Sequence, residues 1–253
     1  MRTVTLEGIK KKLSSSEYDF LRTNEHLGEN IILLGLGGSY AYGCNTTNSD
    51  LDIRGISLNS KKEILLGNDF SQIEHKETDT LIRSFNRYIQ LLEWNNPSVI
   101  ELLGLKKEHY LYIHPIGQEI IDNKNLFLCK KAISAFKGYI FWQLKELKEE
   151  HNIEKIPKRM YHPVRLYHMI FDLIEIGDII TYRRKDHGLL MNIRNGEYLK
   201  EGRPNDEYKN MLKDYAKKLE EYKSKDCLPD KPNYEAIQEF VISVNERIVK
   251  GEI

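Results

Sequence analysis

No apolar run in this 253-residue sequence reaches the roughly twenty residues that a membrane helix needs. No signal-peptide pattern opens it either, so a cytoplasmic location is expected. Cysteine is scarce: Cys44, Cys129 and Cys227 stand alone and are odd in number. They fit neither a disulfide framework nor a zinc spacing and read as reduced thiols. Charge of one sign is missing too, with 38 basic residues against 38 acidic ones. That balance excludes a whole-surface polyanion trap and leaves only a local basic groove open. Repeats and low-complexity segments are absent. The hydrophobic share, 40%, suffices for one large domain or two small ones.

Two patterns divide the chain near residue 115. Before it, strand and helix signals mix. Ser14-Ser15-Ser16-Glu17 reads as a helix start running through Phe20 and Leu21. Ile31–Leu36 is a short apolar run ending in glycines, the mark of a buried strand. Leu51, Ile53 and Ile56 outline a second strand, Thr80–Ile82 a third, and Val99–Leu105 a further one. Phe85, Ile89, Leu91 and Leu92 suggest a helix stopped near Asn95-Asn96-Pro97. Beyond the divide, apolar residues recur at helical spacing in four segments. These are Ala132 to Leu147, Leu166 to Ile180, Tyr208 to Tyr222 and Tyr234 to Ile248. The charged stretch Lys145 to Lys158 links the first two, and Leu228-Pro229-Asp230-Lys231-Pro232 reads as a turn.

Most of the chemical information lies between Gly37 and Gly55. Gly37-Gly38-Ser39 follows the first strand, and Asp50-Leu51-Asp52 opens the second. On a strand, residues two apart face the same way, so Asp50 and Asp52 form a carboxylate pair. Paired carboxylates repel unless a cation lies between them, and Mg²⁺ held with substrate phosphates is the usual occupant. Glycine lets backbone approach a phosphate closely, and Ser39 adds a hydroxyl donor. The layout is that of a nucleotidyl-transfer site.

This motif resembles that of the nucleotidyltransferase superfamily that includes DNA polymerase β, with Gly38-Ser39 and Asp50-Leu51-Asp52 at its signature positions. The chain is similar, more narrowly, to the RNA-repair-associated predicted nucleotidyltransferases of bacteria and phages. Ser49-Asp50-Leu51-Asp52-Ile53-Arg54-Gly55 carries that likeness first. Asn96-Pro97 with Glu101-Leu102-Leu103, then Lys158, His162, Arg165 and Leu166, then Ile193-Arg194-Asn195-Gly196-Glu197, and Leu228-Pro229 extend it over nearly the whole chain.

The resemblance implies an α+β fold. A nucleotidyltransferase-type mixed sheet with flanking helices would occupy residues 1–115, and a helical domain over 116–253 would close the nucleotide and acceptor cleft. It also implies two-metal phosphoryl transfer with Mg²⁺ or Mn²⁺, an NTP substrate and an RNA end as acceptor. Asp50 and Asp52 would hold metal, with a third carboxylate from a later strand. Asp79 stands where that group is expected, and Glu77 and Glu74 are the fallbacks. Gly38 and Ser39 would hold the β/γ-phosphates, with Lys158, His162 and Arg165 as cationic partners. The other reading of His162 and Arg165 is a helix cap with a structural ion pair. Pro163 fits best in a first helical turn, which would leave Lys158 just upstream. Arg54 either contacts phosphate or pairs with a helix-borne carboxylate. Tyr40 and Tyr42 either stack on a base or pack in the core. Arg183-Arg184-Lys185 reads as a solvated face, and Cys44 carries no mark of a nucleophile. Two alternatives stand beside the RNA-end enzyme: transfer to a protein or an antibiotic-like small molecule, and a non-catalytic nucleotide-binding regulator.

Overall fold

The computed structural model describes residues 5–223 and 228–253; Cys227 lies outside the described residues. The sheet is built on β1 (Ile31–Leu36), buried along its whole length. A strand covered on both faces is written as an unbroken apolar run, and this one is. β1 pairs antiparallel with β2 (Ile53–Ser57) and with β5 (Tyr110–Ile113). β2 pairs parallel with β4 (Thr80–Ser84), and the edge strand β3 (Gln72–His75) completes the order β3-β4-β2-β1-β5. The sheet is therefore mixed, as expected.

Two short helices, α1 (Leu6–Leu13) and α2 (Phe20–Thr23), cover one face, where Ile9 and Leu21 cluster with Leu34, Leu36, Ile53 and Ile82. The other face opens into the main core, where Ile32, Leu33 and Ile56 cluster with Phe85, Phe136 and Ile170. That core is closed by helices. After α3 (Gly38–Tyr42) and α4 (Lys61–Leu66) come α5 (Phe85–Glu93), α6 (Pro97–Leu103) and α7 (Pro115–Asp122). The C-terminal part adds α8 (Lys131–Glu149), α9 (Ile156–Ile176), α10 (His187–Arg194), α11 (Asp206–Tyr222) and α12 (Tyr234–Lys250).

The structure differs from the sequence reading at several elements. Ser14 ends α1, and the helical stretch read from the serines begins only after it, as the single turn Ser16–Tyr18 followed by α2 with Phe20 and Leu21. Thr5 caps α1 by accepting from the Gly8 amide, while the Ser14 and Ser15 hydroxyls bond back to the carbonyls of Lys10 and Lys12. Val99–Leu105 is not a strand. Asn96 caps α6 and Pro97 takes its first position, so the apolar run after them continues as a helix. A short apolar run carries no period that separates the two forms. α9 starts well before Leu166, because Pro157 fills the first-turn position, and Pro163 lies inside the helix. Lys158 is thus on α9, in line with His162 and Arg165. Gly177, at φ +76°, ends α9 before Ile180. The link between α8 and α9 shrinks accordingly to 150–155.

Arg183 is not on a solvated face. It is buried, with Nη1 donating to Asp172 of α9 at 2.5 Å and Nε donating to Asp186 at 2.8 Å. Its amide donates to the Tyr42 carbonyl at 2.9 Å, which joins this network to the end of α3. Deleting the guanidinium leaves two buried carboxylates uncompensated. Arg183→Met is expected to cost about 3–5 kcal/mol of stability, read as a lower urea midpoint at unchanged slope.

Candidate active site

The site forms where β1 and β2 run out beside each other. The Gly37 amide donates to the Asp52 carbonyl at 2.8 Å, so the turn after β1 lies against the lead-in to β2. Asp50 and Asp52 precede β2 and are not on it, yet both line one cleft of about 290 Å³. Gly38, Ser39, Asp79, Lys158, His162 and Arg165 line it too. The structure therefore brings together every residue singled out for the site, from three separate stretches of sequence. Of the fallback carboxylates, Glu77 is exposed and pairs with His75 at 3.5 Å, and Glu74 lies on the edge strand β3. Neither lines this cleft.

The β2–β4 register sets the carboxylate geometry. Ile53 faces Thr80 across the parallel ladder, so the residues just before them, Asp52 and Asp79, are neighbours. Their side chains hydrogen-bond to each other. Burial, and then this bond, push Asp52 up to about 7, against the pull of Arg54. Asp79 is also penalised by burial, but the bond with Asp52 and the Arg54 guanidinium hold it below its usual value. The two carboxylates are thus driven in opposite directions, Asp52 up and Asp79 down. Arg54 donates to Asp52 Oδ1 at 3.2 Å, to Asp79 Oδ1 at 3.0 Å and to the Asp79 carbonyl at 2.6 Å. It clamps the site's own carboxylates; neither belongs to a helix.

The donor set suits a divalent cation. Asp50, Asp52 and Asp79, all hard oxygen donors, line the same cleft. Gly38 keeps the space beside them open: at φ +51°, a Cβ there would come within 1.8 Å of Asp52 Oδ2. Among the described residues, no group of three or more His, Cys, Asp or Glu side chains is gathered tightly enough to ligate an ion alone. Mg²⁺ sites are commonly completed by water and substrate phosphate.

The opposite wall is α9. Lys158 and His162 are four residues apart and Arg165 three further on, so all lie along one face. His162 is held neutral, well below its ordinary value, by burial first and then by Arg165, Lys158, Arg194 and Arg159. Arg165 is buried and already engaged. It ion-pairs with Glu101 at 2.5 Å and lies 3.7 Å from the Tyr42 ring centroid, while the Tyr42 hydroxyl donates to the same Glu101. Tyr42 is therefore part of this buried triad, whereas Tyr40 faces elsewhere. The Ser39 hydroxyl makes no hydrogen bond among the described residues. Burial raises the Cys44 thiol, against a nucleophilic role.

Sequence reasoning gave no role to several residues found here. Glu101 and Arg194 stood only within family-like segments. Glu101 had a readable signal, a lone carboxylate in an apolar stretch. Arg194 donates to the Cys44 carbonyl at 2.6 Å and to Ser49 Oγ at 3.1 Å, and so ties the loop before Asp50 to α10. Tyr139 and Gln143, one turn apart on α8, line the cleft with no local signal at all.

No helix among the described residues is long and apolar enough to cross a membrane. A comparison with curated proteins gives no match. A comparison with protein families does: the model of the RNA repair pathway DNA polymerase beta family, RlaP, matches residues 9–243, and the chain belongs to that family of DNA polymerase β-like nucleotidyltransferases.

Proposed function

We propose that this protein is a metal-dependent nucleotidyltransferase that moves a nucleoside monophosphate from an NTP to a hydroxyl at an RNA end. The observation that carries the reading is the Asp52–Asp79 pair, which faces the open space at Gly38 in the same cleft as Lys158 and His162. In this reading residues 1–115 are the catalytic part and residues 116–253 close the cleft over it.

Asp50, Asp52 and Asp79 are the residues that would hold Mg²⁺ or Mn²⁺. Such ions, when bound, supply charge stabilisation for the phosphates and a lowered pKa for the attacking hydroxyl. The chain supplies the rest. The Ser39 hydroxyl and the Lys158 ammonium bind the β/γ-phosphates, and Gly38 lets them come close to the backbone. His162, neutral among cations, is a hydrogen-bond partner that gains positive charge as the anion arrives. Arg165, fixed by Glu101, adds positive potential from behind and no bidentate grip. Asp79 accepts the proton of the attacking hydroxyl. The new bond forms between that oxygen and the α-phosphorus, the α–β phosphoanhydride bond breaks, and pyrophosphate leaves in line.

Incubation with each α-radiolabelled NTP, Mg²⁺ or Mn²⁺, and RNA tests the reading. Label in RNA is expected, falling by at least about a hundredfold in Asp50→Ala/Asp52→Ala protein. Label in protein instead of RNA, or none anywhere, would reject the RNA-end enzyme. Gly38→Ala is a second test. Its methyl group would overlap the Asp52 carboxylate and displace it, so transfer should drop about tenfold or more, while the Tm falls by more than the roughly 1 kcal/mol of backbone strain alone produces, with the fold retained.

A further inference from the structure

A second cleft, of about 410 Å³, meets the first at the carboxylates: Asp50 and Asp79 line both. Gly38, Ser39, Lys158 and His162 line only the first; Lys12, Tyr18, Tyr40 and Lys76 line only the second. Three elements outside the active-site motif build it. α1 and the turn Ser16–Tyr18 bring Lys12 and Tyr18, and the turn Lys76–Thr78 brings Lys76. Tyr40 reaches it from α3, two residues before the Tyr42 that lines the other cleft.

The chemistry of these walls is specific. Tyr18 is fully buried at the floor, and its hydroxyl has no hydrogen-bond partner among the described residues. Tyr40 is half-buried and offers a ring beside Asp50. Lys12 is held by an exposed ion pair with Glu17 at 3.3 Å, and such a pair costs little to exchange for another anion. Among the described residues no ion pair holds Lys76. Glu77, also on the rim, is paired with His75. Rings that stack on a base, with lysines spaced around them, are how single-stranded nucleic acid is bound. In-line displacement also requires the nucleophile to arrive on the side away from the departing pyrophosphate.

Resting on the nucleotidyltransferase reading, we propose that this second cleft is the acceptor site. It takes the terminal nucleotide of a single-stranded RNA, with Tyr40 against the base and Lys12 and Lys76 on the adjoining phosphates. The terminal hydroxyl is thereby delivered to Asp79.

Two measurements on the full chain test this. In the first, a short RNA ending in a thiouridine is photocrosslinked to the unaltered protein and the labelled peptides are mapped. Crosslinks at Tyr40 or in the 76–79 segment are expected; crosslinks confined to Tyr139 or Tyr161 at the other cleft, or none, would overturn the site. In the second, Lys12→Glu/Lys76→Glu is compared with wild type in the transfer assay. The KM for RNA should rise about tenfold, and the salt dependence of that KM should flatten by about 1.4 units of logarithmic slope, roughly 0.7 for each of the two contacts. The KM for NTP should stay as it was. An unchanged KM for RNA would overturn the proposal while leaving the nucleotidyltransferase reading intact. Crosslinking at Tyr40 without any transfer would do the reverse, keeping the RNA site and rejecting the reaction.

Discussion

The parallel pairing of β2 with β4 is the constraint on which the site depends. The Ile53 amide donates to the Asp79 carbonyl at 3.1 Å, and the Gly37 amide donates to the Asp52 carbonyl at 2.8 Å. Three chain segments are thereby stitched together by backbone bonds alone, and two carboxylates are forced side by side at the seam. Asp52 is half-buried, and Asp79 sits in the left-handed region at φ +44°, a conformation that Asp tolerates better than most residues but still at a cost of about 1–3 kcal/mol. Arg54 offsets part of that cost by bonding to both side chains and to the Asp79 carbonyl. The site is thus a small store of electrostatic and backbone strain held in place by a well-paired sheet.

The second organising element is α9. Its face toward the cleft carries Lys158, His162 and Arg165, and one or two turns on it carries Asp172, which anchors Arg183. An interior proline normally costs a helix about 3 kcal/mol. Pro163 survives here because the helix is buried over most of its length, from Ile156 to Ile174, and packs against both α8 and α10. The Arg165–Glu101 pair between α9 and α6 is best understood in the same terms. A buried ion pair is weak evidence for stability, since desolvation consumes much of the attraction. What it does fix is position: Glu101 satisfies Arg165 and Tyr42 together, so α3, α6 and α9 meet in one arrangement.

Much of this was legible in the sequence, for identifiable reasons. β1 and the carboxylate motif were readable because burial on both faces and a fixed spacing leave local traces. The four long C-terminal helices were readable from their period. The errors fell where a local signal has two meanings. A run of serines can open a helix or close one, and the hydroxyl bonds of Ser14 and Ser15 close it. Val99–Leu105 is too short for its period to show, and Pro97 decided the matter. With two prolines near one helix start, Pro157 and not Pro163 took the first turn. Arg183 looked exposed because Arg184 and Lys185 follow it, and its partners, Asp172 and Asp186, declare themselves only through the fold. Tyr139 and Gln143 reach the cleft purely by where α8 crosses it, which no short stretch of sequence records.

The balance of 38 basic and 38 acidic residues bears on what kind of nucleic-acid partner such a site can serve. A protein that coats a strand must neutralise many phosphates, and its affinity falls with salt by roughly 0.7 per phosphate contacted on a single strand. That demand shows up as a large basic excess. A protein that grips only the last nucleotide or two meets few phosphates, and a handful of cations placed in two adjoining clefts suffices. Here Lys158 serves one cleft and Lys12 and Lys76 the other, while Arg54, Arg165 and Arg183 are spent on carboxylates of the protein itself. Charge neutrality over the whole chain and a few lysines placed at the two clefts are therefore not in conflict. In the proposed reading they suit an enzyme that works on the end of a strand and not one that travels along it.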